Sequence, residues 1–460
     1  MPSRVRTVTM MLAVLSVAVM SVHLWRGPNF VLDDWFNLRA ADDPASLLGV
    51  SRDVAAGRPG ILLAYGFTYA VIGNHPLLAV GLLAVIHLAT TLVLFRFLRR
   101  LLPERVAALA VAIWVISPNH MSLEVWPSTV MIALSLLLTI TGADLIARRG
   151  TSLQREHAAA AMFGFAAVFY EASMPAIAFL TVAIPWFVER RLRYRLVAVT
   201  GVSQLAIAAW IVSHWHSSHS SEGAVSLRAV LAGHFGEGLV GSRPVGAGLL
   251  IVVLTSVAVL AYRDLPQLRR PLGQDRSGTT EPLFISIVGV ALAVVALGAL
   301  PFTFYFYTTQ GPGDRVLYLS SIASSVILGA LFERALQARR ETAMAVLAPL
   351  LLVVGVQRWD KAADWDWAGD EGVAILSTIH DRFPAPPTGA IVIGPEPVSR
   401  GNLAPFVDHS NIRGAMAVLY PGAGVDAYVA HDRASFEQFE EQYRFDLVAI
   451  ANDTVELTGP

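Results

Sequence analysis

Two adjacent carboxylates stand among apolar and aromatic neighbours near the start of the chain, in Phe30-Val31-Leu32-Asp33-Asp34-Trp35-Phe36. Desolvation beside a like charge raises the pKa of one member of such a pair, and a carboxylate so tuned can take the proton of an attacking hydroxyl. The same pair would serve equally as an N-cap for a following short helix, or as a solvated loop. Farther on, Ser117-Pro118-Asn119-His120-Met121-Ser122-Leu123-Glu124-Val125-Trp126-Pro127 gathers His, Glu and Trp into a tight turn, and Tyr170-Glu171 separates two short apolar stretches. Two arginines complete the set. Arg58 precedes Pro59, and Arg315 lies in Gly311-Pro312-Gly313-Asp314-Arg315-Val316-Leu317-Tyr318. A guanidinium matches phosphate oxygens with its planar fork, while snorkelling beside Tyr318 is the alternative use for Arg315.

The elements that must position these residues are membrane spans. The 460 residues are 55% hydrophobic and 15% charged, with a mean hydropathy of +0.55, whereas a soluble chain carries about 25% charged residues. The net charge of -1 offers no basic field for nucleic acid. The absence of cysteine excludes disulfides, thiol nucleophiles and thiolate metal sites, and the sole lysine is Lys361. A bilayer core requires about 20 apolar residues in helix. Eleven segments meet or approach that length: 7–24, 76–97, 106–118, 129–147, 157–170, 172–188, 196–213, 245–262, 283–302, 316–333 and 342–357. Arginines cluster before the first and after each of the even-numbered segments, for example Arg96, Arg99 and Arg100 after the second and Arg334, Arg339 and Arg340 after the tenth. By the positive-inside rule these clusters face the cytoplasm.

The expectation is therefore a polytopic α-helical protein of the plasma (inner) membrane with about 11 transmembrane helices in residues 1–357. Its N-terminus is cytoplasmic, its first segment an uncleaved span rather than a signal peptide, and its first extracytoplasmic loop covers about 25–75. Within that loop, the Gly- and Tyr-rich stretch from Pro59 to Gly73 reads as a re-entrant or interfacial helix. Residues 358–460 are expected to form a small extracytoplasmic α/β domain, with strands at Gly389–Gly394 and Phe445–Ala451 and an acidic amphipathic helix over Arg433–Arg444. All the motifs above then face outward, and Arg315 stands on the side where basic groups are scarce.

These residues resemble the GT-C class of integral membrane glycosyltransferases, which includes protein O-mannosyltransferases and the lipid A aminoarabinose transferase. The turn Pro118 to Trp126 is similar to the proline–histidine–glutamate–valine–tryptophan pattern of tetratricopeptide-bearing relatives, and Arg315-Val316-Leu317-Tyr318-Leu319-Ser320 to their arginine–tyrosine–leucine–tyrosine–leucine stretch. Asp33-Asp34 falls where the class carries its acidic pair, and Arg58-Pro59, Gly73 and His87 follow the spacing through the second span. The likeness covers roughly residues 5–335. Two departures stand out: Tyr170 occupies the place of a lysine common before the residue matched by Glu171, and the tail shows no 34-residue period.

The resemblance implies transfer of a monosaccharide, with inversion, from a polyprenyl-phosphate-linked donor to a glycan, lipid or protein acceptor outside the cytoplasm. It implies Asp34 as general base, with Asp33 as the alternative. Arg315 and Arg58 would hold the donor phosphate, and His120, Glu124, Glu171 and Tyr318 would position substrate. No cofactor is expected and a divalent metal is disfavoured; no nucleic acid is a partner. Two other readings compete. An O-antigen polymerase or ligase relies on a long late loop with arginine and histidine. A secondary transporter would show internal repeats and ionisable groups near mid-membrane, whereas Asp144 and Glu333 lie near cytoplasmic ends.

Three further features read as ordinary structure. His214, His216 and His219 occupy a Ser-rich loop without a carboxylate partner. Trp359, Trp365 and Trp367, interleaved with aspartates, suit an interfacial anchor better than a sugar-stacking platform. Pro395, Pro397 and Gly422 mark loops.

Overall fold

The structure is a computed structural model that describes residues 2–41, 59–150, 152–189, 191–213, 227–268, 284–299, 315, 317–387, 391–394, 399–400, 403–430, 437–438, 447–451 and 454–458. Arg58, the histidines at 214, 216 and 219, and all of the expected helix over 433–444 but residues 437–438 lie outside these described residues.

In chain order the helices are α1 (Pro2–Trp25), α2 (Asp33–Ala41), α3 (Pro59–Tyr65), α4 (Pro76–Leu101), α5 (Glu104–Ile116) and α6 (Ser122–Val125). Then follow α7 (Val130–Ile146), α8 (Leu153–Phe169), α9 (Met174–Glu189), α10 (Tyr194–Ser213), α11 (Leu227–Phe235) and α12 (Glu237–Val240). The last of the bundle are α13 (Arg243–Leu268), α14 (Phe284–Ala299), α15 (Tyr318–Ala338) and α16 (Arg340–Arg382). Among the described residues, eight helical segments are long and apolar enough to cross a membrane, including Arg4–Trp25, Pro76–Leu101, Pro127–Ile146 and Tyr318–Ala338. The chain is thus a multi-pass membrane protein. The expected crossings at 106–118, 157–170 and 283–302 coincide with α5, α8 and α14, of 13, 17 and 16 residues. These are shorter than the about 20 residues of a full crossing.

Local chemistry explains the boundaries. Pro76 opens α4, where its missing N–H costs nothing, and Arg99 and Arg100 close it against the carbonyl end of the helix dipole. Helix α7 has no single polar face and is buried at most of its positions, as suits a helix at the centre of a bundle. Gly329 lets α15 lie against α5, since a Cβ there would meet Ala110 N at 2.8 Å. The Pro59–Val71 stretch is helical but short, its second half a π-helix over Gly66–Val71.

The arginine clusters collect at one end of the bundle. Arg96, Arg100 and Arg148 lie 2.8, 2.7 and 3.5 Å from the buried carboxylate of Asp144. Arg4 pairs with Glu104 and Arg105 with Glu333, each at 3.8 Å, and Arg193 pairs with Glu189 at 2.7 Å.

Helix α16 continues without a break past residue 357 for 43 residues in all, about 65 Å at 1.5 Å per residue. The last span and the start of the tail are therefore one rod, because nothing between 350 and 382 breaks a helix. Beyond it come β1 (Ile391–Gly394), α17 (His409–Leu419), β2 (Ala427–Val429), β3 (Leu447–Ala451) and β4 (Thr454–Thr458) in a sheet of order β2-β1-β3-β4. Strand β1 is parallel to β2 and β3, and β3 and β4 form an antiparallel pair. Asp408 and Asn411 cap α17 reciprocally. That helix then rests on α2: Gly414 stands where a Cβ would meet the Trp35 carbonyl at 2.5 Å.

Candidate functional site

The acidic pair begins α2. Leu32, just before it, takes a left-handed φ of 52°, an uncommon conformation for a branched residue that must be held by its surroundings. Its N–H donates to Pro405 O at 3.3 Å and its side chain is buried. This turn sends the two carboxylates in different directions.

Asp34 is fully buried. Its Oδ1 accepts from Tyr69 Oη at 2.6 Å, Ser128 N at 2.9 Å and Ser128 Oγ at 2.7 Å, and its Oδ2 accepts from Val31 N at 3.0 Å. Tyr65 donates to Ser128 O and Asn37 to Ser128 Oγ, so α2, the 59–71 helix and the turn before α7 are tied into one knot. Burial pushes the Asp34 pKa up to about 7, against the opposing pull of Tyr69 and Ser128.

Asp33 is only partly buried. Its Oδ1 accepts from Asn411 Nδ2 of α17 at 3.1 Å, and Arg315 acts on its charge. Burial raises the Asp33 pKa and Arg315 works to lower it. The Arg315 guanidinium stands 5.3 Å from the ring centroid of Trp126, which packs on Trp365 of α16 at 5.6 Å. Trp365 is therefore an internal packing residue, and Trp359 carries the Arg26 guanidinium 3.8 Å above its ring.

Glu124 organises the neighbouring turn. Ser117 caps the turn Pro118–His120 by accepting from Asn119 N, Pro118 opens it, and α6 follows. The buried Glu124 carboxylate bonds Arg358 of α16, and His23 Nε2, His87 Nδ1 and His120 Nε2 approach it to 3.5, 3.5 and 3.3 Å. Arg358 also donates to Ser117 O at 2.9 Å, and Lys361, one turn on, donates to Pro118 O at 3.2 Å and Gly238 O at 3.4 Å. Burial works to raise the Glu124 pKa, but Arg358 and His87 outweigh it and hold the carboxyl well below the usual range. Close by, the buried His234 meets Ser320 Oγ at 2.7 Å and Ser324 Oγ at 3.2 Å, and burial lowers its pKa to about 3.

The expected site residues thus fall into three groups. Asp33 and Arg315 share one, Asp34 adjoins it, and His120 with Glu124 forms the second. Glu171 and Tyr318 belong to a third around Tyr170, whose ring meets Tyr318 edge-on at 5.8 Å. Tyr69, Ser128, His23 and Arg358 had no distinguishing signal in the sequence, apart from one. Arg358 and Lys361 are basic residues following the last apolar segment, on the side expected to be poor in them, as Arg315 is.

No protein-family model matches the sequence, nor does any curated protein. Two crystal structures of the oligosaccharyltransferase of Archaeoglobus fulgidus share the fold. One is a complex with zinc and sulfate, matched at TM-score 0.50 and 11% identity over 93% of this chain and 62% of that one. The other is tethered through a disulfide bond to an acceptor peptide containing the NVT sequon, matched at TM-score 0.50 and 10% identity over 93% of this chain and 64% of that one. The chain therefore spans less than two thirds of the length of these neighbours, and the likeness is one of architecture. That architecture is the GT-C fold, resembled by the sequence motifs and carried here by a helical membrane bundle with a polar site at the end away from its arginine clusters.

Proposed function

We propose that this chain transfers a monosaccharide from a polyprenyl-phosphate-linked donor to a hydroxyl acceptor at the extracytoplasmic end of the bundle, with Asp33 as general base. The observation that carries this reading is the contrast within the acidic pair. Asp34 accepts four hydrogen bonds in full burial, whereas Asp33 is partly exposed beside Arg315 with Asn411 as its hydrogen-bond donor. Asp34, the first expectation for the base, is then the scaffold that fixes its neighbour.

In the reaction the acceptor oxygen attacks the anomeric carbon as its proton passes to Asp33. The new C–O bond forms on one face while the bond to the phosphate oxygen breaks on the other, which inverts the centre. The polyprenyl phosphate leaves with its added negative charge facing Arg315. Arg58 serves as a second cation for that phosphate. His120 and Glu124 are 1% and 0% exposed, so they shape the turn instead of touching sugar, and Glu171 and Tyr318 line the acceptor or donor path.

The arginine-rich end of the bundle supports a cytoplasmic N-terminus, and on this reading eleven crossings, counting the three shorter helices, would leave the C-terminus outside. Residues 358–460 then form an extracytoplasmic α/β unit on the end of α16. Reporter fusions at residues 150 and 460 should respond as cytoplasmic and extracytoplasmic, respectively.

The test of function is transfer in membranes supplied with radiolabelled polyprenyl-phosphate monosaccharide. Asp33→Asn should abolish transfer with normal membrane insertion. Full activity in Asp33→Asn removes it as base, and transfer only from an oligosaccharide diphosphate donor favours a polymerase or ligase activity instead.

A further inference from the structure

One cluster at this end of the bundle is too buried to touch the sugar. His87 of α4 and His120 and Glu124 of the turn after α5 bring two imidazole nitrogens and a carboxylate oxygen within 4.8 Å of one another. Glu124 Oε1 is 3.5 Å from His87 Nδ1 and 3.3 Å from His120 Nε2. Ligand atoms arranged tetrahedrally around zinc at its usual bond lengths are about 3.3 Å apart. Two edges of such a set already stand.

The rings are held in place for it. Both imidazoles lie nearly parallel to the Trp114 indole, at 20° and 7° and 4.8 Å between centroids, and 6.3 Å from each other. Those three distances put them side by side on one indole face. Trp114 is fixed by its own hydrogen bond to Ser321 Oγ at 3.2 Å.

The second observation is unmet bonding capacity. Glu124 Oε1, His87 Nε2 and both ring nitrogens of His120 and of His23 are buried without a hydrogen-bond partner. Buried polar atoms are ordinarily paired, and here Glu124 Oε1 and His120 Nε2 face each other at 3.3 Å with neither satisfied, which leaves room between them for a ligand. Arg358 bonds Oε2 of Glu124, on which His23 also converges, and leaves Oε1 directed at the two imidazoles. Two neutral imidazoles and a carboxylate are the donor set of three-ligand zinc sites that keep a fourth position open.

We propose that His87, His120 and Glu124 bind a single divalent transition-metal ion of the zinc class. The site stands independently of the glycosyl-transfer reading. Arg358 is a resident cation that competes with the ion for the carboxylate, so removing its charge strengthens metal binding.

The test uses the full chain in detergent with His214, His216 and His219 replaced by alanine, so that the other histidine run contributes nothing. The protein is stripped with chelator and equilibrated with Zn2+ alone. One zinc per chain is expected, with affinity reduced at least tenfold in His87→Gln and in His120→Gln and raised in Arg358→Gln. Absence of zinc in the parent, or binding as tight as the parent's in either histidine variant, overturns the proposal. Should the variants not fold by gel filtration, Co2+ loaded into the parent decides. The intense visible absorption of a four-coordinate nitrogen–oxygen site is expected, and the pale spectrum of a six-coordinate aqueous ion overturns it.

Discussion

Asp144 and Glu124 are both completely buried carboxylates, one at each end of the same bundle, and they are satisfied in opposite ways. Asp144 is gripped by Arg96, Arg100 and Arg148, whose side chains are 46%, 31% and 36% exposed. Glu124 has one guanidinium, itself only 9% exposed, and three imidazoles at distances longer than a good hydrogen bond. The first arrangement is an abundance of charge that water can share. The second is scarce charge, held by geometry, and the same is true of Asp33 and Arg315 nearby. Chemistry belongs where charge is costly and placed, and orientation in the membrane belongs where it is cheap and clustered.

Substitutions can break this comparison. Asp33→Asn should lower transfer by about 10²- to 10⁴-fold, the usual range for loss of a positioned base, without changing the melting temperature. A fall in both would make Asp33 structural. Glu124→Gln should destabilise the protein by roughly 3–5 kcal/mol, because it strands Arg358 inside the bundle; thermal denaturation in detergent reads this directly. The pH profile of the transfer step gives an intermediate effect. Burial raises the Asp33 pKa, and only the ionised form can accept a proton. The rate should therefore fall about tenfold per pH unit once pH drops below a value higher than an ordinary carboxylate's about 4. A profile flat down to pH 4 would assign the base elsewhere. Asp144→Asn should be mildest, about 1 kcal/mol or less, since its arginines return to water, and transfer should be unchanged. Loss of transfer there would mean that the two ends are coupled.

Much of the scaffold was legible because hydropathy reports directly on contact with lipid. Each expected apolar segment coincides with a helix, and strands lie at Ile391–Gly394 and Leu447–Ala451 inside the stretches expected for them. The length of α16 was not legible in the same way: hydropathy ends at 357, but Trp359 to Arg382 keep the helix going through packing on the 117–126 turn and Arg26. Within the site, residue type identified the acidic pair and the His-Glu-Trp turn. The different surroundings of Asp33 and Asp34 depend on the left-handed turn at Leu32 and on Tyr69 and Ser128, residues 35 and 94 positions away from Asp34. His23 is a lone histidine at the end of an apolar span, and only its arrival beside Glu124 distinguishes it.

The unbroken α16 also fixes a phase relation. Arg358 and Lys361 clamp its middle to the turn around Glu124, while its far end carries the sheet and, through α17, Asn411 against Asp33. Each residue of a helix advances about 100° and 1.5 Å. A single residue inserted beyond Lys361 would leave the clamp intact and swing everything after it by nearly a third of a turn. Asp33 would lose its amide partner with no change to any residue that touches it, so the helix works as a rigid shaft whose length in residues sets how the tail meets Asp33.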